Sequence, residues 1–451
     1  MEKQQQKTNF DAIIVGSGIS GILSALALSK EGKHVLVIEK DSVIGGNCRT
    51  YEIDGYRLDT GPHAITELTQ GPLKTLINEY FTVVPRFFPI GSYYVRDKKK
   101  LQEFPLTILQ LAKFDILPKR ERLIMSSAMI DAVASHSLNR ETLNRSIYDF
   151  MKKYKPAEKT LKLIDAISYF LSGKSMHETP AWRILGGSGY IDENTKSKKQ
   201  HLKALIKFTK NNYSSQGYPL GGIQSITDCA INSIPKKNAT FILNEKVTKF
   251  IIKNNTIKGV KTDKNSYYSN LVIYSGFVKN LPYLTDVLTN EYKNELKKIN
   301  QTRSLTIWCG LKNKLPELSY TGSEVYFDTD TPYWAIPVSN FDAHLAPKNK
   351  QLIGFSTIIE NEKDEDCINK LRKTIFTALP NIKENIEFEH IQITIPEKAA
   401  VSTGVTFPSP RSPIKNLYLV GTDTDMRSMG VTRASYSVVE ALKFMKEDGV
   451  I

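Results

Sequence analysis

Hydrophobic and polar positions follow two rhythms along this chain, and the switches between them outline its organisation. An apolar run from Phe10 to Val15 predicts a buried strand. A helix opens in the glycines that follow, and a second apolar run, His34 to Ile38, predicts another strand. Tyr51, Ile53, Tyr56 and Leu58 alternate around Asp54-Gly55, as in a β-hairpin. From 69 to 215 the rhythm is helical. Segments 106–113, 119–135, 146–154 and 160–171 repeat apolar residues every three or four positions, with Pro85, Pro89, Pro105, Pro118 and Pro180 as breaks. A short helix is predicted from Ile223 to Ile234, then strands at 241–243, 246–252, 256–262 and 271–274. Residues 283–402 alternate helix and strand. Asn416 to Val420 reads as a strand, and Val438, Val439, Leu442 and Met445 as the apolar face of a last helix. The expected fold class is α/β.

Chemistry first appears between the first two strands. Gly16, Gly18 and Gly21 stand where a strand turns into a helix, and Glu39 follows the second strand 18 residues after Gly21. In that context the spacing is a dinucleotide fingerprint. Gly16 permits the tight turn, Gly18 admits a pyrophosphate to the backbone, and Gly21 lets helix and strand pack closely. The free N–H groups and dipole of the helix start, at Ile19 and Ser20, favour phosphate. Glu39, with Lys40 beside it, is placed to accept from ribose hydroxyls, and its carboxylate disfavours a 2′-phosphate.

A second glycine-rich turn follows: Gly45, Gly46, Asn47, Cys48, Arg49 and Thr50, then the hairpin and Asp59-Thr60-Gly61-Pro62-His63. A simple NAD site has no evident use for this second cradle, whereas a longer cofactor does. Here the chain resembles the flavoprotein superfamily of flavin amine oxidases, protoporphyrinogen oxidases and phytoene-desaturase-type enzymes. The resemblance implies non-covalent FAD, with Glu39 on the adenosine ribose and Gly46, Arg49 and Thr50 along the pyrophosphate and flavin. Gly61, Pro62 and His63 would stand near the flavin face, and Val247 would pack on adenine. Near the C-terminus, Gly421-Thr422-Asp423 and Gly430-Val431-Thr432 resemble the family's closing motif. That implies Asp423 at the ribityl–pyrophosphate portion and the last helix aimed at the flavin's N1–C2=O edge. Many relatives carry Glu-Gly where this chain has Arg433-Ala434, a departure that leaves Arg433 to point either to solvent or to a phosphate.

The resemblance also predicts an interleaved chain: a Rossmann-type FAD-binding domain from 1–68, 216–282 and 403–451, and an α+β substrate domain from 69–215 and 283–402. At 451 residues, two domains are expected on size alone. Four scattered cysteines with no CxxC speak against disulfides and zinc, and no metal is expected. The N-terminus has no apolar leader, and 41% hydrophobic residues with mean hydropathy −0.29 fit a cytoplasmic globular protein. The net charge is +14 without a nucleic-acid motif, so nucleic acid is not the expected partner. Leu202, Leu205, Ile206 and Thr209 share one helical face flanked by lysines. They read either as a surface helix packed inward or as a peripheral contact with an anionic membrane.

No Ser-His-Asp or His/Cys cluster is visible. His63 is the one histidine near the expected flavin face, with a structural reading and a catalytic one, orienting substrate or passing a proton. Phe87, Phe88, Tyr93, Tyr94, Trp308 and Trp334 are candidates to line an apolar pocket. By resemblance, the D-G-Y-R-L-D-T-G-P-H run and 407–413 look most like the phytoene-desaturase branch. That implies hydride transfer between an isoprenoid or carotenoid-like substrate and flavin N5. Protoporphyrinogen oxidase and amine oxidase are alternatives, although 398–406 lacks the aromatic an amine oxidase uses. A flavin-dependent isomerase or mutase without net redox change is the alternative of another class. The electron acceptor (oxygen, quinone or NAD) is left open.

Overall fold

Short runs of β-branched residues build the centre of the molecule. In the computed structural model, which describes residues 10–61, 64–98, 100–138, 141–185, 216–360 and 363–451, every residue of strands Ala12–Val15 and Val35–Ile38 is buried. A strand buried on both faces needs such an unbroken apolar run, the mark of a parallel sheet. The sheet has five parallel strands in the order Leu417–Leu419, Val272–Tyr274, Ala12–Val15, Val35–Ile38, Ala239–Ile242. Segments far apart in sequence therefore meet side by side.

The two faces of this sheet carry separate cores. Ala12, Ile14, Val35 and Val37 pack under helix Ile19–Lys30, whose residues 20–29 are all buried, and under the last helix, Gly430–Glu447. Helix Pro72–Tyr80 joins the same core through Leu73, Leu76, Ile77 and Tyr80. On the other face Ile13, Val15, Leu36 and Ile38 meet an antiparallel sheet of strands Val247–Lys253, Thr256–Thr262 and Ser266–Tyr268. Leu288, Leu296 and Ile299 belong there too. Helix Pro72–Tyr80 and residues 288–299, expected in the substrate domain, thus complete the nucleotide-binding half. Their apolar faces fit the outer faces of that sheet, which local periodicity does not specify.

The second large sheet has seven strands in the order Ile386–Glu397, Thr302–Leu311, Gln351–Ile359, Tyr333–Ile336, Gly322–Tyr326, Ser92–Asp97, Lys100–Glu103. All neighbours are antiparallel except Gly322–Tyr326 with Ser92–Asp97. Helix Asp364–Ala378 covers one face through Leu371 and Ile375. The parallel junction is pinned by a buried ion pair. Arg96 Nε and Nη2 donate to Glu324 at 2.5–2.9 Å, and the Tyr333 hydroxyl donates to Glu324 Oε1 at 2.8 Å. Such a pair fixes register more than it adds stability.

The predicted helices at 106–113, 119–135, 146–154 and 160–171 appear as Ile108–Ala112, Lys119–Leu138, Ile147–Met151 with a 3₁₀ turn at Lys152–Tyr154, and Glu158–Ser172. No helix among the described residues is long and apolar enough to cross a membrane.

Candidate active site

The glycines of the first turn each answer a steric demand. Gly16 adopts φ +97°, and its N–H donates to Ile38 O at 2.8 Å, closing the turn at the strand end. A Cβ on Gly21 would fall 2.1 Å from Gly16 O, so helix and strand approach as only glycine allows. The second glycine turn docks on the first. Gly45 N donates to Ser17 O at 3.0 Å, and a Cβ on Gly46 would meet Gly18 Cα at 3.1 Å. Two loops 27 residues apart by the Gly18–Gly45 bridge thereby form one backbone cradle at the C-terminal edge of the parallel sheet.

Glu39 closes one end. It is buried, its Oε2 accepts from Ser17 N at 2.8 Å and Ser17 Oγ at 2.7 Å, and its Oε1 accepts from Asp41 N at 3.0 Å. Val247 is buried at the start of its strand, two residues after Glu245, whose N–H donates to Glu39 O at 2.9 Å. Lys40 points outward and pairs with Asp41 on the surface. Asn47 Nδ2 donates to Ile395 O, tying the second turn to the seven-stranded sheet.

The other end is built by the C-terminal turn. Asp423 is fully buried; its Oδ2 accepts from Val278 N at 2.8 Å, while Oδ1 has no partner. Burial raises its pKa, partly offset by the charge of Lys398 and the Val278 N–H. Arg49 Nε is likewise buried without a partner. An orphaned acceptor, an orphaned donor and a glycine-walled cradle are what an extended polar ligand would satisfy, so these residues fit a dinucleotide cofactor. Thr50 is committed elsewhere: its hydroxyl donates to Asp59 Oδ1 at 2.6 Å. Asp59 also accepts from Ile223 N at 2.9 Å and the Tyr218 hydroxyl at 2.5 Å, fastening the hairpin to the Gly221-Gly222 turn. Cys48, inside the cradle, has its thiol pushed up to about 12, first by burial and then by the Asp59 charge.

Arg433, expected to face solvent or a phosphate, does not face solvent: it is only 1% exposed at the start of the last helix, where it is engaged with main-chain carbonyls. Its guanidinium donates to Ser428 O, Ala399 O and Thr422 O and pairs with Glu397 at 3.2 Å. Glu397 Oε1 also accepts from Gly430 N at 2.5 Å. Arg183 reaches the same carbonyl, donating to Ser428 O at 2.5 Å, and its pKa is drawn down to about 9 by burial, then by neighbouring Arg433. Val431 and Thr432 are buried in that first turn, with Thr432 Oγ1 donating to Thr66 O at 3.0 Å. Arg183, Glu397 and Ser275 carry no local motif; only their three-dimensional neighbours reveal them.

Of the proposed pocket aromatics, Trp308 is core, buried completely against Gly354. Tyr93 and Trp334 are half-buried and both lie edge-on to Phe170, with ring centroids 6.4 and 5.4 Å apart. Pro62, His63 and the 198–210 segment lie outside the described residues. Among the described residues no cluster of three or more potential ligands forms a metal site.

A family model for an NAD(P)-binding Rossmann-like domain matches residues 14–80. An uncharacterised protein from the nifH2 3′ region of Methanothermococcus thermolithotrophicus is 55% identical over 96 residues, covering 21% of this chain and 92% of that protein. A 1-hydroxycarotenoid 3,4-desaturase from Flavobacterium is 25% identical across 68% of this chain and 64% of its own length, so the match spans less than two thirds of that relative. Prolycopene isomerase 1 of an Oncidium hybrid is 23% identical over 97% of this chain and 84% of that one. In fold, an oxidoreductase from Methanosarcina mazei superposes with TM-score 0.79 at 19% identity, covering 97% of this chain and all of the other. A putrescine oxidase superposes with TM-score 0.67 at 15% identity, over 99% and 100%. Over most of its length the chain is thus similar to the superfamily of flavin-dependent oxidoreductases that holds the flavin amine oxidases, protoporphyrinogen oxidases and phytoene-desaturase-like enzymes.

Proposed function

We propose that this chain binds FAD non-covalently and acts as a desaturase- or dehydrogenase-type enzyme, moving hydride between an apolar, isoprenoid or carotenoid-like molecule and flavin N5. The observation that carries the reading is the convergence of both chain ends on one sheet edge. Glu39 and the paired glycine turns stand at one side, and the orphaned Asp423 carboxylate at the other. In this reading Glu39 accepts from the adenosine ribose, the turns and the start of helix Ile19–Lys30 hold phosphate, and Asp423 meets the ribityl chain. Val247 flanks the adenine. The first turn of the last helix, with Val431 and Thr432, faces the flavin edge. FAD, when bound, supplies a ring that takes up or returns an electron pair as hydride. The protein's own contribution is to position the substrate and exclude water, and the Tyr93–Phe170–Trp334 aromatic group offers an apolar wall for this. The Cys48 thiol, its pKa pushed up by burial, is a poor nucleophile, which supports a dissociable cofactor. The carotenoid desaturase among the relatives favours a polyene or isoprenoid substrate.

A second reading, isomerisation without net redox change, is favoured by the prolycopene isomerase match, which runs the length of the chain. Anaerobic mixing of the yellow protein with a long-chain polyene separates the two. Stoichiometric bleaching supports the oxidoreductase, turnover with unchanged colour the isomerase, and neither with any polyene overturns the substrate class. Such a substrate is drawn from lipid, so we also propose peripheral contact with an anionic membrane. Support comes from the +14 net charge and from exposed Ile108, Leu109, Leu123 and Ile130 on consecutive helices. Sedimentation with anionic vesicles tests this; recovery in the supernatant at low salt sinks it.

Replacing Glu39 with alanine removes the acceptor for a buried hydroxyl pair. Cofactor affinity is expected to fall by about 1.5–3 kcal/mol, roughly 10- to 150-fold. Flavin-to-protein ratio after gel filtration measures it, and an unchanged ratio would remove Glu39 from the ribose.

A further inference from the structure

We propose that Lys398 is a second cation, beside Arg49, that receives the cofactor's pyrophosphate, although it belongs to neither glycine turn. The proposal rests on the FAD reading above. A pyrophosphate diester brings two negative charges into a cradle already walled by two carboxylates, Glu39 and Asp423. Backbone N–H groups and a helix start supply only partial charge against this. Arg49, in the second turn, brings one full positive charge to it; a second where the diphosphate runs would match the charge of the diester.

Lys398 follows the edge strand Ile386–Glu397 and reaches back from the seven-stranded sheet to the parallel one. Its Nζ donates to Ser275 O at 2.6 Å and to Gly276 O at 3.1 Å. Ser275 is the residue on which the fingerprint glycines converge. A Cβ on Gly16 would stand 3.4 Å from Ser275 O, one on Gly18 4.0 Å from its Oγ, and one on Gly21 3.3 Å from its Cβ. On the opposite side, a Cβ on Gly421 would lie 2.9 Å from Lys398 Nζ and 2.7 Å from Asp423 Oδ1. The ammonium thus stands between the first glycine turn and the Gly421–Asp423 turn. Burial lowers its pKa, and the nearby charges of Asp423 and Glu39 offset part of that pull. A ligand with its ribose at Glu39 and its ribityl chain at Asp423 must pass its diphosphate between them. An ammonium has three N–H donors, and two are engaged with carbonyls.

The test compares three probes on deflavinated protein by calorimetry at low salt: FAD, ADP and riboflavin. Lys398→Met keeps the stem and drops the charge; Lys398→Gln retains a donor for Ser275 O, also without charge, and carries the test if the first variant does not fold. Either is expected to weaken FAD and ADP about 10- to 100-fold while riboflavin stays within about twofold. Unchanged FAD binding in a folded variant overturns the proposal. So does riboflavin weakening as much as FAD, because that is the mark of a purely structural tether. If the wild-type protein binds neither FAD nor ADP, the nucleotide reading itself falls, and this assignment with it.

Discussion

Gly21→Ala is expected to abolish nucleotide retention. The added Cβ would lie 2.1 Å from Gly16 O, 3.2 Å from Gly16 C and 3.3 Å from Ser275 Cβ. The closest of these is backbone, so no side-chain rotation relieves it. Either the helix Ile19–Lys30 moves off its strand or the turn opens, and both carry the phosphate-facing N–H groups out of place. The helix is buried along almost its whole length, so its displacement also costs packing in the core. A destabilisation above about 4 kcal/mol is expected, the range that marks backbone conflict. Flavin content and the melting curve together measure the effect. Gly32→Ala is the control: nothing lies within 4 Å of its Cβ position, and only the positive φ of +83° resists the change, about 1 kcal/mol. A Gly21→Ala protein that stays yellow would mean that the turn does not approach the strand as described.

The second large effect is expected at Arg433→Met. The arginine is 1% exposed and serves three main-chain carbonyls, those of Ser428, Ala399 and Thr422, besides Glu397. Methionine matches its length but removes the donors to Ala399 O and Thr422 O, leaves Ser428 O to Arg183, and strands a carboxylate that is 13% exposed. Removing one partner of such a pair costs about 3–5 kcal/mol. Glu397→Gln alone is expected to cost less, since the amide still accepts from Gly430 N–H. The double variant Arg433→Met/Glu397→Gln should recover part of the sum, because the stranded charge is gone. Denaturant unfolding of the four proteins gives the coupling energy. Strict additivity would show that the two side chains do not act as a pair.

This cluster also gives Arg433 its physical role. In sequence it is merely a departure from the Glu-Gly of many relatives. In the fold it gathers the Ser428 loop, the Thr422 turn and Ala399 around the start of the last helix, with Arg183 arriving at the same carbonyl from residue 183. The arrangement is a clamp built from segments that share no local pattern.

What the amino-acid order determined by itself is local. Glycines at 16, 18 and 21 are demanded by contacts within a few residues of chain, so strand, turn and helix were all legible, as was the acid that ends the second strand. The hairpin at Asp54-Gly55 was equally legible, since Asp54 and Gly55 both adopt positive φ there. Helical periodicity likewise located Lys119–Leu138 and Glu158–Ser172 to within a few residues. Only the tertiary structure decided which sheet each segment serves. Helix Pro72–Tyr80 has the same apolar rhythm as its neighbours, yet it packs on the nucleotide sheet, because periodicity states that a face is apolar and not what covers it. Trp308 read as a pocket aromatic and lies in the core for the same reason. Lys398, Arg183 and Glu397 were invisible in one dimension because a buried charge is defined by the groups around it. Those groups come from residues 33 to 245 positions away, such as Gly430 for Glu397 and Ser428 for Arg183, and only the folded chain brings them together.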